Sequence, residues 1–197
     1  MVIPGQRKIF MREYSNGMYT TRVFFLVNWC MSIILSISYP IITSAISFRF
    51  LGFEDDSAGN YFTWLTILLI QTLSGQSFGF MMGTIMDNEL SALMVCQLLI
   101  VIMNFGSGFF INNNTDNIFV IFLSKISPFR YASEVMMRCF LKEKPQQDQI
   151  LNSFDFTLGT AGCIGMSILF LICFFILSWL SITYKARLLF RWWLNVY

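Results

Sequence analysis

Long runs of uncharged, mostly apolar residues dominate this chain and predict its helices. Four such runs, of 26, 30, 26 and 29 residues, lie between charged positions. Each is longer than the ~20 residues that a helix needs to cross a ~30 Å hydrocarbon core. We therefore predict an all-α, multi-pass membrane protein with four transmembrane helices, at about residues 23–47, 61–86, 90–111 and 156–184.

The segment between the third and fourth spans has a different pattern. Residues 117–124 are apolar, but eight residues are too few to cross a bilayer. Ser127 and Pro128 then predict a helix start, because serine is a favoured N-cap and proline suits the first helical position. The link therefore contains at least one helix of its own.

Charged residues follow this start at helical spacing. Arg130, Glu134 and Arg138 lie four residues apart, which places opposite charges on one helical face. At the centre of a bilayer each would cost about 2.5–3.5 kcal/mol, so residues 128–142 are not predicted to be a fifth full span. We expect residues 117–144 to form a re-entrant or interfacial element followed by an amphipathic helix near the headgroups.

Composition narrows the function classes. Charged residues make up 12% of the chain, about half the ~25% typical of soluble domains, which excludes a soluble enzyme. A net charge of +2 gives no basic surface for a nucleic acid. The chain has no histidine, and its five cysteines form no CxxC pair, so neither a metal site nor a disulfide framework is predicted. No predicted span carries Asp or Glu, so no catalytic residue is assigned.

The polar ends suggest a topology. Residues 1–22 are polar and lack the apolar core of a signal peptide, and residues 185–197 form a basic tail. Four spans place both ends on one side, and we expect that side to be cytoplasmic. The Lys/Arg distribution is a weak guide, with seven on that side and six on the other. Asn113, in the only Asn-x-Thr sequon, would then face outward as a candidate N-glycosylation site; the membrane of residence stays open.

Two amides in the third predicted span need partners. Gln97 and Asn104 are seven residues apart and are predicted to share a face with Ile100 and Val101. Polar groups in a membrane helix usually face a bundle interior or a cavity. Two interpretations remain open at this point: hydrogen bonding between helices, or a mixed wall that contacts a substrate.

Glycines recur at helical spacing in the second predicted span. Gly75, Gly79 and Gly83 repeat every four residues, a spacing that lets another helix approach closely. Gly106 closes the third span. Close packing or flexible helix ends are the favoured interpretation, and a gating role is the alternative.

Three motifs, in order along the chain, resemble a known family. The segment 10–19, FMREYSNGMY, is similar to the Arg/His-Glu-x-x-x-Gly-x-Tyr motif that precedes the third membrane helix of G-subfamily (White/pleiotropic-drug-resistance type) ABC transporters. FGSGFF at 105–110 resembles the end of helix five in that family, and ISPFRYA at 126–132 resembles its Ser-Pro-x-Arg-Tyr segment. The resemblance covers nearly the whole chain.

The resemblance implies a fold and partners. The four spans would be helices three to six of a six-helix, type-2 exporter membrane domain. The nucleotide-binding domain and the first two helices would be missing, so Met1 is expected to be internal to a longer protein or to mark a partial gene model. ATP and Mg²⁺ would bind that missing domain and not this chain. A second half-transporter would complete a homodimer or a heterodimer in the lipid bilayer.

The resemblance also assigns three groups of residues. The segment that couples the membrane domain to the nucleotide-binding domain would contain Arg12, Glu13, Gly17 and Tyr19. The wall of a central substrate cavity would contain Gln97, Ile100, Val101 and Asn104. A hydrophobic plug above that cavity would be formed by Phe109 and Phe110.

These assignments predict the membrane-domain portion of an ATP-driven ABC-type transporter for a hydrophobic or amphipathic substrate. The alternative from another class is a non-transporting membrane scaffold or regulatory subunit without a nucleotide-binding domain. The sequence does not identify the substrate.

Overall fold

The computed structural model describes residues 9–10, 12–14, 16–50, 58–86, 88–107, 118–142, 147–154, 156 and 158–196. These residues are mostly helical and contain no strand. In chain order the main helices are α1 (Thr21–Phe50), α2 (Ala58–Ile85), α3 (Glu89–Phe105), α4 (Ile118–Ile126), α5 (Pro128–Phe140), α6 (Gln147–Ser153) and α7 (Gly159–Val196). Residues 9–10 and 12–14 are helical as well.

Three helical segments are long and apolar enough to cross a membrane: Thr21–Phe50, Gly59–Ile85 and Gly159–Ala186. The prediction of an all-α, multi-pass membrane protein is confirmed. α3 has 17 residues and is apolar, which at 1.5 Å per residue is about 25 Å. Residues 108–117, over part of which the third span was predicted to continue, lie outside the described residues, so the count of four spans stays a prediction.

The surface of α1 is apolar over most of its length. Large apolar side chains are exposed on it, including Met31, Ile34, Leu35 and Ile42 at 57–78% exposure. A water-soluble protein rarely leaves so many apolar groups uncovered on one helix, whereas hydrocarbon or another membrane helix accommodates them. The exposure therefore fits a membrane-spanning role for α1.

Helix α2 occupies the centre of the domain, where it packs against α7, α1, α5 and α3. Residues of α2 contribute to two apolar clusters. We call the first cluster 1, and its buried members are Trp64, Ile67, Tyr131, Ala132, Val135, Cys139 and Cys163. The second, cluster 2, joins α2 to α3 through buried Phe78, Met82 and Cys96.

Polar side chains also join the spans. The Gln76 amide of α2 donates to the Trp29 carbonyl oxygen of α1 at 3.3 Å. The Thr84 hydroxyl of α2 donates to the Ser181 hydroxyl of α7 at 2.8 Å. Each bond links two neighbouring helices and so helps to fix their register.

The glycines have different surroundings. A Cβ at Gly75 or Gly79 would meet no atom within 4 Å, so within the described residues no helix makes the predicted close approach there. At Gly106 a Cβ would lie 2.9 Å from both Cγ and the carbonyl oxygen of Leu123. Close packing is therefore confirmed at Gly106, where the end of α3 touches the α4 backbone.

The corner between α4 and α5 lies where the sequence predicts a helix start. Helix α5 begins at Pro128 with Ser127 as its N-cap, as predicted. The Ser127 side chain makes no capping bond; its hydroxyl donates instead to the Met103 carbonyl oxygen of α3 at 2.6 Å. The serine therefore anchors the corner to α3.

The burial of α5 differs from the prediction. An amphipathic helix near the headgroups should turn its charged face to water, yet Glu134 is 0% exposed and Arg130 is 6% exposed. The reason is that α5 packs between α2 and α7, where Glu134 and Arg130 form hydrogen bonds with other residues of the protein. The predicted pairing of Glu134 with Arg138 is confirmed at 2.8 Å.

Candidate functional site

The segment before α1, residues 9–20, holds the four residues predicted to couple the domain to its motor. It contains a short helix that ends in a glycine-capped turn. The Met18 N–H donates to the Glu13 carbonyl oxygen and the Gly17 N–H to the Tyr14 carbonyl oxygen, both at 3.1 Å. This pair of bonds is the Schellman arrangement, and it requires a left-handed residue at the position of Gly17, whose φ is 71°. Gly17 is therefore the helix terminator.

A hydrogen bond closes the same turn from the side. The Tyr19 hydroxyl donates to Glu13 Oε2 at 2.5 Å. Partial burial, together with this bond and the charge of Glu13, raises the pKa of Tyr19 to about 12. Tyr19 is thus a neutral donor at physiological pH, and Glu13 and Tyr19 form one unit.

Aromatic rings attach this segment to α1. Phe10 is 5% exposed, and its ring centroid lies 4.4 Å from that of Phe24 in the first turn of α1. Tyr14 and Tyr19 stack around the pair, with centroids 5.6 Å from Phe10 and 6.1 Å from Phe24, respectively. Aromatic pairs in this distance range add to the stabilisation from burial. The segment and the start of α1 therefore form one packed unit, on which Arg12 is exposed.

The residues of the predicted cavity wall on α3 differ in their burial. Ile100 packs against cluster 2, whereas Gln97 and Val101 are exposed. The Asn104 amide donates to the Ile100 carbonyl oxygen at 2.9 Å, a bond within its own helix. Gln97, Val101 and Asn104 lie on one face, and the half-buried Ile100 lies at its edge.

This face of α3 is flanked by apolar residues. Exposed neighbours on the helix are Leu90, Leu93, Met94, Leu98, Ile102 and Phe105. The surface is therefore largely apolar with two amides. Phe109 and Phe110, and the sequon residue Asn113, lie outside the described residues.

Sequence reasoning paired Glu134 with Arg138 but did not find what the pair holds. Glu134 Oε1 accepts from Arg138 Nε at 3.0 Å and Nη2 at 2.8 Å, and from the Gly159 N–H at 3.0 Å. Arg138 Nη2 also donates to the Phe156 carbonyl oxygen at 2.9 Å. The pair therefore holds the start of α7, where a carboxylate is favoured by the helix dipole. We call Glu134, Arg138, Phe156 and Gly159 the α5–α7 clamp.

A buried cation, Arg130, lies on the same helix, α5. Arg130 Nη1 donates to the Ser124 hydroxyl of α4 at 2.5 Å, and the Tyr131 hydroxyl donates to the Lys125 carbonyl oxygen at 2.9 Å. These bonds join α4 to α5 on the far side of the Ser127 corner. The spacing of the charged residues was the only signal in the sequence, and it did not indicate burial.

In the part of the chain that the structure describes, no group of three or more Cys, Asp or Glu residues could hold a metal ion. The five cysteines are free thiols. The described residues offer three features: a packed segment before α1, an apolar surface on α3 and the α5–α7 clamp.

Comparison with known proteins gives one family and several relatives. The family model for ABC-2 type transporters matches residues 1–141. The chain is 24% identical over 203 residues to "Protein white" of Ceratitis capitata, an alignment that covers 94% of this chain and 30% of that protein. It is 28% identical over 190 residues to "ABC transporter ATP-binding protein/permease wht-1" of Caenorhabditis elegans, with 86% of this chain and 28% of that protein covered.

A third relative agrees with these two. Over 136 residues the chain is 27% identical to "ABC transporter G family member 1" of Dictyostelium discoideum, with 68% of this chain and 17% of that protein covered. The chain thus spans less than a third of the length of these curated relatives.

Proposed function

Because this chain belongs to the ABC-2 type transporter family, as a membrane domain of the G subfamily, we propose that it forms part of an ATP-driven transporter. The transporter moves a hydrophobic or amphipathic substrate across a membrane. ATP and Mg²⁺ bind a nucleotide-binding domain outside this chain. This sequence contains no Gly-Lys dipeptide, which a phosphate-binding loop requires. A second half-transporter completes the pathway.

In this proposal the domain has four spans, and both ends lie on the cytoplasmic side. α1, α2, α3 and α7 are the spans, and α4 and α5 form the outer corner before the last one. The long uncharged runs of α1, α2 and α7 support the assignment, as do the fixed contacts between α3 and the corner at Gly106 and Ser127. The corner and the residues before α1 then lie on opposite sides of the membrane.

The segment of residues 9–20 acts as the coupling element. The observation that carries this is its attachment to α1: Phe10 is buried against Phe24, and Glu13 accepts from Tyr19. A segment packed in this way transmits a displacement to the helix that follows it, because packed contacts deform little. Arg12, which is exposed, extends from the same unit toward the motor.

The α3 surface acts as the wall of the substrate path. Gln97, Val101 and Asn104 contact the substrate directly, and Ile100 supports them from behind, because it packs into cluster 2. Two amides in an apolar surface suit an amphipathic ligand. Phe109 and Phe110 close the path beyond the end of α3.

A pair of substitutions tests the coupling role in the protein that contains its nucleotide-binding domain. Glu13→Ala should leave expression and membrane insertion near normal and reduce substrate-stimulated ATP turnover. Tyr19→Phe removes the same hydrogen bond and keeps the carboxylate. If Glu13 contacts the motor directly, Tyr19→Phe should retain more turnover than Glu13→Ala. The control is Glu89→Ala, an exposed carboxylate that the proposed topology places on the same side, and it should change neither quantity.

Loss of insertion by Glu13→Ala, with unchanged turnover per inserted molecule, would contradict the coupling role. A complex that assembles with its nucleotide-binding domain but shows no ATP-dependent flux for any amphipathic compound would favour the scaffold alternative.

A further inference from the structure

A cavity of about 850 Å³ lies between the segment before α1, the first residues of α1, the end of α2 and the last part of α7 that crosses the membrane. Met81, Leu177 and Leu180 give it an apolar portion, and Thr20 and Thr21, which precede Arg22, add hydroxyl groups. None of the predicted substrate-wall residues of α3 lines it. The cavity is therefore separate from the proposed transport path.

The charge pattern places this cavity at the depth of the lipid headgroups. The uncharged run of α1 begins directly after Arg22, and that of α7 ends directly before Lys185. Three amphipathic aromatic residues line the cavity in this layer: Tyr14, Trp179 and Tyr184. Tyr and Trp are enriched where the hydrocarbon meets the headgroups. The cavity thus opens where a lipid carries its phosphate.

Two basic residues lie on the side of the cavity that faces the headgroups. Arg22 lines it and is exposed, and none of the described residues that line it is acidic. Lys185 Nζ donates to the carbonyl oxygen of the lining residue Ile85 at 2.7 Å, which holds a second cation at the rim.

We propose that this cavity is a binding site for an anionic phospholipid of the adjacent leaflet. The phosphate lies at Arg22 and the neighbouring hydroxyl groups, and the upper part of an acyl chain lies along Leu177 and Leu180. Because the cavity is lined both by Tyr14 of the segment before α1 and by α7, the lipid contacts the proposed coupling element and the last span together. The site itself does not depend on the transport proposal.

Native mass spectrometry of the purified full-length protein tests the site, with dioleoyl phosphatidylserine titrated against dioleoyl phosphatidylcholine. The wild type should retain phosphatidylserine in preference to phosphatidylcholine. Arg22→Gln should weaken phosphatidylserine binding about fivefold, the effect of losing one surface cation beside an anionic lipid. Leu180→Trp, which fills the apolar portion, should weaken both lipids. The matched control is Arg49→Gln, an exposed arginine at the other end of α1, and it should leave this preference unchanged.

Three outcomes would overturn the proposal. The first is equal retention of the two lipids by the wild type. The second is an equal effect of Arg22→Gln and Arg49→Gln, because non-specific surface charge would then explain the binding. The third comes from a photo-crosslinker at position 180: if it attaches to another segment of the full-length protein and not to lipid, protein covers the cavity. Inorganic phosphate added in excess should not displace the lipid. Displacement would mean that the site binds free phosphate, which would also contradict the proposal.

Discussion

Neutralising Glu134 should destabilise the domain more than any other single charge change among the described residues. The carboxylate is 0% exposed, and its Oε1 accepts three N–H bonds, two from Arg138 and one from Gly159. Glu134→Gln keeps the shape and one acceptor oxygen but removes the negative charge. Arg138 then loses its counterion, and the start of α7 loses its anionic partner.

The magnitude follows from these contacts. Removing one partner of a buried ion pair costs about 3–5 kcal/mol. Arg138 is 21% exposed on its side chain, so water offsets part of the loss, and the amide oxygen of Gln can still accept from the Gly159 N–H. We therefore expect Glu134→Gln to lower the free energy of unfolding by about 3 kcal/mol, roughly a hundredfold in the folding equilibrium.

Equilibrium unfolding of the purified protein in mixed micelles, followed by helix content, measures this change. The matched control is Glu89→Gln, an exposed carboxylate in the first turn of α3, which should cost about 0.3–1 kcal/mol through the helix dipole. The double variant Glu134→Gln with Arg138→Met should be more stable than the sum of the single effects, because no unpaired charge remains buried. A Glu134→Gln cost no larger than that of Glu89→Gln would refute the clamp.

Three further predictions concern other parts of the chain. Gly106→Ala should cost about 1–3 kcal/mol because its Cβ would press on the α4 backbone, whereas Gly79→Ala has open space and should be neutral or stabilising in the same unfolding assay. The pH titration of phenolate absorbance should contain a step near pH 12 that is missing in Tyr19→Phe, and Glu13→Gln should shift this step toward pH 10. The contribution of the neutral Tyr19 phenol to stability is full below pH 10 and is lost as the pH rises through about 12. Asn104→Leu should change substrate selectivity in flux assays with less than about 1 kcal/mol of stability lost, since among the described residues its amide bonds only its own helix; a failure to assemble would contradict this.

Much of the architecture could be predicted because hydrophobic length is a local property. The uncharged runs predicted α1, α2 and α7 to within a few residues at most ends, and Ser127-Pro128 predicted the start of α5. α7 continues to Val196, past the predicted end of its span at residue 184. Helix propensity and length are encoded within each segment, so they need no knowledge of neighbours.

The burial of α5 could not be predicted in this way. The four-residue spacing of Glu134 and Arg138 indicates a pair, but polarity alone suggests exposure. The partners of this pair, Phe156 and Gly159, lie about 20 residues further along the chain, and only the tertiary fold brings them close to the pair. Ile100 gives the same lesson, because the seven-residue spacing of the two amides did not indicate which flanking side chain enters cluster 2.

ATP-dependent flux tests the central proposal most directly. Inside-out vesicles that contain this chain together with its nucleotide-binding domain and partner half should accumulate an amphipathic fluorescent compound with ATP and not with a non-hydrolysable analogue. Glu13→Ala should reduce that accumulation, while the amount of assembled complex stays the same. Assembly without accumulation for a broad panel of amphipathic compounds, in vesicles shown to be sealed and to hydrolyse ATP, would contradict the assignment of this chain to a transport pathway.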